Sequence, residues 1–337
     1  MQLPEPRGPL GEALGRDLAG RTTLSAATLE CADRLGDAAT PALTDEDLQL
    51  SLAVCYELHY RGFDGVDDDW EWDPALLRLR AGLERRHLAA LRSLVGTVPV
   101  TDAPIDRRLA ALIAADDGPS LSSYMAKTGT LAQWREYLAL RSVYHLKEAD
   151  PHTFAVPRLS GRAKAAMVEI QADEYGGGAP ERMHSELFAG LLRDLGLDAT
   201  YGALWDEAPA AAFASVNTMS FFGLHRRWRG AALGHLTAVE MTSSEPSRRY
   251  SAGLRRLGFD ARVTVFYDEH VEADAVHEQI ASVDMCGSLV AEEPALAPDV
   301  LFGAACSLAM DGLAAVHLLG AWETGRSALR RERALAA

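Results

Sequence analysis

Residues 267–279 read YDEHVEADAVHEQ. At about 100° per residue, His270, Asp274 and His277 of this stretch fall within about 60° of arc on one helix face. Two imidazoles and a carboxylate stacked over two turns can all point at one place. Their nitrogen and oxygen donors suit iron, manganese or zinc. A solvated face also explains charge at this density, since Glu269, Glu272 and Glu278 flank the three.

Working outward, the period stays helical. A short strand is allowed at ARVTVF (261–266), but nothing beyond it alternates. From Thr44, TDEDLQLSLAVCYELHYRGF sets an N-cap and acids ahead of apolar residues at helical spacing. The acids and tryptophans of DGVDDDWEWDP (64–74) separate it from a second amphipathic helix, ALLRLRAGLERRHLAALRSLV (75–95). A short helix is expected over 104–117. A longer one is expected over 128–150, ending at Asp150-Pro151, because proline disfavours helix in the residue before it. SGRAKAAMVEIQADEYGGG (160–178) starts at a serine and stops at three glycines, and the helical period resumes in APERMHSELFAGLLRDLGL. Residues 208–258 are expected as two or three helices, punctuated near Gly230, Pro246 and Gly258, and an apolar helix from about 298 to 330 closes the chain. The fold class is all-α. Residues 1–40, rich in Pro, Gly and Ala, read as a loose N-terminal arm with one short helix at most, and residues 41–330 as one helical domain.

Composition narrows the function classes. Of the 337 residues 48% are apolar, enough for one large core or two modest ones. The net charge of −15, spread along the chain, opposes nucleic-acid binding, which needs clustered Lys and Arg. HRRWRG (225–230) is the local exception. No run of eighteen uncharged apolar residues occurs and the N-terminus lacks signal-peptide features, so no membrane association and a cytoplasmic location are expected. The four cysteines, Cys31, Cys55, Cys286 and Cys306, form no C-x-x-C pair and read as reduced thiols.

ERMHSE supplies Glu181-x-x-His184, the spacing used by carboxylate-bridged sites in helical bundles, and Asp274-x-x-His277 repeats it with the shorter acid. Glu148 ends one helix in YHLKEADPH and Glu174 ends the next in QADEYGGG. Spacing alone leaves either Glu174 or Glu181 as the partner of His184. His145 and His152 flank Glu148 and can hydrogen-bond a ligand. Tyr267, one turn before His270, can do the same. His59, His87 and His317 read as packing or surface residues. The arginines of HRRWRG read as a solvated helix or a subunit contact or, as the sharper reading, a clamp for a substrate carboxylate.

Over roughly residues 120–290 the chain resembles the haem-oxygenase-like diiron oxidases and oxygenases, often labelled iron-containing redox enzymes. The resemblance rests on KEADPH, DEYGGG, the histidine of ERMH, and EHVEADAVH, in that order. It implies a haem-oxygenase-like helical bundle with additional outer helices. It also implies six ligands: Glu148 from one core helix, Glu174 ten residues before His184 across a helix break, then His270, Asp274 and His277. It favours Glu174 over Glu181, which stays in reserve. The implied cofactors are two Fe2+, with O2 as co-substrate. It further implies that the helix carrying Glu174 and His184 orders only when iron binds. YGGGAPE agrees, because three glycines and a proline make that segment costly to order.

The expected function is O2-dependent oxidation of a small nitrogen-containing metabolite, such as N-oxygenation of an amine. Oxidative C–C cleavage of an amino or fatty acid by the same site is the alternative, and a non-enzymatic ferritin-like iron-binding protein is a second. None of the ten histidines precedes an Asp, against helical phosphohydrolases, and H-E-x-x-H is absent, against zinc peptidases. No phosphate-binding glycine loop appears. Expected partners are a small-molecule substrate, an external electron donor and a second copy of the chain, since the apolar C-terminal helix needs cover.

Overall fold

The computed structural model describes residues 1–20, 22–99 and 101–331, the side chains of 272–276 excepted. Among the described residues the regular structure is helical and no strand occurs. The first part of the chain forms α1 (Pro9–Gly20), α2 (Ala26–Gly36), α3 (Glu46–Glu57), α4 (Pro74–Val95), α5 (Ile105–Ala114) and α6 (Leu121–Lys127). The middle forms α7 (Leu131–His145), α8 (Asp150–Thr153), α9 (Gly161–Glu174), α10 (His184–Asp194) and α11 (Ala210–Leu224). The last part forms α12 (Arg229–Arg256), α13 (Ala261–Gln279), α14 (Ser288–Glu292) and α15 (Ala297–Glu323), with a π-helical stretch, Ile280–Gly287, between α13 and α14.

Caps explain several starts. Asp45, not Thr44, caps α3, its side chain accepting from Leu48 N. Asp73 caps α4 ahead of Pro74, where a missing N–H costs nothing. Thr130 and Gln133 close a reciprocal capping box on α7.

Four expectations need correction. Residues 1–40 are not a loose arm: they carry α1 and α2. Leu10, Leu14 and Leu18 of α1 are buried in the main core, and the Asp47 carboxylate accepts from Leu10 N and Gly11 N. The strand allowed at 261–266 is instead the first turns of α13, because Val263, Phe266 and Tyr267 share the buried face with His270. Pro246 does not punctuate: α12 runs through it from Arg229 to Arg256, held along its length by α13, α15 and α6. Packing on three sides outweighs one lost backbone hydrogen bond. Finally α7 ends at His145, so Glu148 sits in the turn before α8 rather than on a core helix.

The core has two parts. One gathers α1, α3, α4, α9, α11 and most of the buried apolar side chains of α12 and α15. The other gathers Trp134 and Leu138 of α7, Phe188 and Leu192 of α10, and Phe266 and Tyr267 of α13. The apolar helix α15 is long enough by length and composition to cross a membrane, yet half of its apolar window is buried inside the protein. It lies against α12 at backbone distance: a Cβ on Gly234 would stand 1.8 Å from Val300 O, and one on Gly303 2.0 Å from Ala231 O.

Candidate metal centre

The chemistry collects where the two parts of the core meet. From the first part come Glu174, ending α9 beyond buried Met167 and Ile170, and Glu240, on the buried stripe of α12. From the second come His184, the first residue of α10 ahead of Phe188, and His270, one turn past Phe266 on α13. Glu148 enters from the turn after α7, and His277 lies two turns beyond His270. All six are between 1% and 8% exposed.

They form two triads. Ligating atoms of Glu148, His184 and His270 lie within 4.8 Å of one another, as do those of Glu174, Glu240 and His277. His184 Nδ1 stands 3.1 Å from Glu174 Oε2 and so joins one triad to the other. In the first triad His270 Nε2 is 3.7 Å from Glu148 Oε1. In the second His277 Nδ1 is 3.3 Å from Glu240 Oε2.

Hydrogen bonds aim the imidazoles. His270 Nδ1–H donates to the Phe266 carbonyl at 2.7 Å, which leaves the Nε2 lone pair facing Glu148. His277 Nε2 bonds Asp173 Oδ2 at 2.9 Å, turning Nδ1 toward Glu240. Such partners fix ring orientation and tautomer in metal sites. His145 Nδ1–H donates to the Arg141 carbonyl at 3.2 Å, and its Nε2 lies 3.3 Å from Glu148 Oε1.

Burial and opposite charge compete across the seam. Burial pushes the Glu148 carboxyl above its ordinary range, with His270 pulling back. Burial raises Glu174 too, but the His184 ring beside it outweighs this and holds the carboxyl low. Burial lowers His184, and Glu174 outweighs that in turn, holding the imidazole high. Burial, then the Arg141 charge, keeps His145 neutral, well below its ordinary value.

Glu148 Oε2 is buried with no hydrogen-bond partner. A carboxylate oxygen left so is costly unless a cation meets it. With three carboxylates and three imidazoles converging, the donor set fits iron.

Of the sequence-based candidates, the fold brings Glu148, Glu174, His184, His270 and His277 together. Asp274 lies on α13, but its side chain is outside the described residues. Glu181 is exposed on a one-turn 3-10 helix and belongs to neither triad. His152 pairs with His235 (3.3 Å) rather than with a ligand. Arg226 and Arg227 are exposed, and Arg229 pairs with Glu293. His87 is fully buried between Gln49 and Thr218, at 3.0 Å from each. All four cysteines are free.

Sequence reasoning missed Glu240. The signal was there: it lies four residues after Leu236 and seven after Leu233, on the apolar face of α12, where an acid needs a partner. A cavity of about 350 Å³ opens on both triads, bordered by Glu148, Glu174, Glu240 and His270.

Comparison with known proteins agrees with this geometry. Residues 135–312 match the family model described as iron-containing redox enzyme. A nitrosourea synthase from Streptomyces achromogenes subsp. streptozoticus is 25% identical over 253 residues, 72% of this chain and 54% of that protein. The chain thus spans about half the length of the curated relative it matches. By fold, by donor set and by a match over more than half its length, the chain belongs to the iron-containing redox enzyme family.

Proposed function

We propose that this chain is an O2-dependent, non-haem diiron oxygenase or oxidase acting on a small nitrogen-containing metabolite, as in N-oxygenation of an amine. One observation carries the reading: two three-residue His/carboxylate groups share a buried seam and border the same cavity. Three protein donors per ion leave open coordination positions. Glu148, His184 and His270 would hold one iron and Glu174, Glu240 and His277 the other, with Asp274 the further ligand expected from the sequence. Two Fe(II) ions there would supply the activation of O2.

The chain's own side chains do the rest. Asp173 and the Phe266 carbonyl hold the ligand rings in place. Tyr137, Tyr250 and Tyr267 border the cavity alongside Leu140, Leu236 and Val239. That mixed wall suits a compact substrate with hydrogen-bonding groups better than a long acyl chain, whose buried methylenes contribute about 0.8 kcal/mol each only in a dry, apolar tunnel. The relative's name, a synthase of a compound with a nitrogen–oxygen bond, supports nitrogen as the oxidised atom.

The test loads the protein anaerobically with Fe(II), counts the iron, and then follows O2 uptake with amines, amino acids and medium-chain fatty acids. Two irons per chain and uptake accelerated by a nitrogen compound, with an N-oxygenated product, are expected. A single tightly bound metal would sink the diiron assignment. Acceleration by fatty acids alone, with release of a shortened alkene, would replace N-oxygenation by C–C cleavage.

A further inference from the structure

Arg141 stands out among the side chains bordering the cavity, because it is the one arginine or lysine among the described lining residues. The negative groups there include Glu148, Glu174 and Glu240, whose charge would be met by metal. Asp311 also borders the cavity, but it lies on the exposed side, with 59% of its side chain accessible. An arginine presents five N–H donors. Here Nη1 reaches Asp311 Oδ1 at 3.3 Å and Nη2 reaches His145 Nε2 at 3.4 Å, both long for charge-assisted bonds. Nε is buried with no partner at all. The guanidinium lies over the Tyr144 ring, 5.9 Å from its centroid, and is otherwise only loosely engaged.

From Arg141 the centre is near. One step of 3.4 Å leads to His145 Nε2, and a second of 3.3 Å leads from there to Glu148 Oε1. A group held by Arg141 thus sits a few bonds from whatever meets the first triad. Both the small cavity and this short span favour a compact molecule. In a chain of net charge −15, an anion gains little from the overall field and needs a local cation.

We infer that Arg141 anchors a carboxylate of the substrate, so that the substrate is a small amino-carboxylate with its nitrogen turned toward the metal centre. This rests on the function proposed above and narrows its substrate class. The charged clamp that HRRWRG offered in the sequence is supplied instead by an arginine seven residues before Glu148.

The experiment uses the whole Fe(II)-loaded chain under anaerobic conditions. Calorimetry measures binding of the protein amino acids, β-alanine, 4-aminobutyrate and 5-aminopentanoate, each beside its carboxamide. At least one acid is expected to bind about tenfold or more tightly than its amide, the scale of a charge-assisted hydrogen-bond pair. Arg141→Gln should abolish that preference, and Arg141→Lys should keep part of it. No acid preferred over its amide, or an undiminished preference in Arg141→Gln, overturns the assignment. Should Arg141→Gln fail to load iron, Asp311→Asn reads the same claim. It removes the competing carboxylate, so the acid-over-amide ratio must rise, and an unchanged ratio overturns the anchor. Iron content of the same wild-type samples reports separately on the diiron reading.

Discussion

At the scale of single residues, burial separates the acids that matter from those that merely share a spacing. Glu181 satisfies a carboxylate-x-x-His pattern yet is exposed, whereas Glu240 satisfies no pattern and is 3% exposed against His277. Glu240→Ala should lower iron from two to about one per chain after dialysis while helicity is kept; Glu181→Ala should leave iron unchanged. Equal iron in Glu240→Ala and wild type, by elemental analysis, would remove Glu240 from the site. The shared face of His270 and His277 was legible because a helix repeats its face every three or four residues, a regularity the sequence displays, whereas Glu148, Glu174 and His184 followed from the family resemblance. Glu240 was legible in neither way, since its partners lie 37 and 66 residues away and only the fold brings them close. His87 gives a second test at this scale. Burial lowers its imidazole from the ordinary 6.5 to about 4. Between those values the unfolded chain holds a proton that the folded chain lacks, so stability falls as pH drops from 6.5 toward 4. The contribution lost between pH 7 and pH 5 is roughly 2 kcal/mol. His87→Gln should shrink the acid loss by about that amount, measured by denaturant melts at the two pH values; an identical loss would refute it.

At the scale of elements, amphipathic helices such as α4 were readable because half of each faces solvent, so polar and apolar residues segregate. Helices buried on several sides were harder to bound: the sequence puts a break at Pro246 inside α12 and allows a short strand at the start of α13. α12 carries Pro246 and α13 opens with β-branched residues, signals that end or exclude helix on an exposed surface. Tertiary packing overrode both, and nothing local announces that. The crossing of α12 and α15 shows how tightly such packing is set. Gly234→Ala or Gly303→Ala would drive a Cβ into a carbonyl oxygen of the facing helix, and backbone cannot step aside without parting the two helices. Each should cost about 1–3 kcal/mol, as overpacking does, and the two should not add, since they strain the same helix crossing. Gly312→Ala on the same α15 has nothing within 4 Å of its new Cβ. It should be neutral or stabilising by up to about 1 kcal/mol, from helix propensity alone. Thermal melts in which Gly312→Ala and Gly234→Ala lose the same stability would show that the close crossing is not what those glycines serve.

At the scale of the whole molecule, the cover expected for α15 comes largely from within: Ala304, Cys306, Met310 and Leu318 are buried against the chain's own core. What a second copy would cover is the strip around Val316, 59% exposed. We propose a homodimer through it; light scattering at micromolar concentration should give twice the chain mass, and a monomer would end the proposal. The seam between the two parts of the core has a larger consequence. Three carboxylates are buried there, and Glu148 Oε2 has no donor. Without metal the fold therefore buries a Glu148 carboxylate oxygen that no donor meets, which opposes folding; with metal the same groups bind, and binding to the folded state alone adds stability. Glu148→Gln keeps the shape and removes one charge. It should melt higher than wild type when both are stripped of metal, and lower than wild type when both are exposed to anaerobic Fe(II). The order of melting temperatures should thus reverse on adding iron. A mutation acting only on packing moves both states the same way, so a variant that stays above or stays below wild type in both conditions would show that this carboxylate is held for structure rather than for metal.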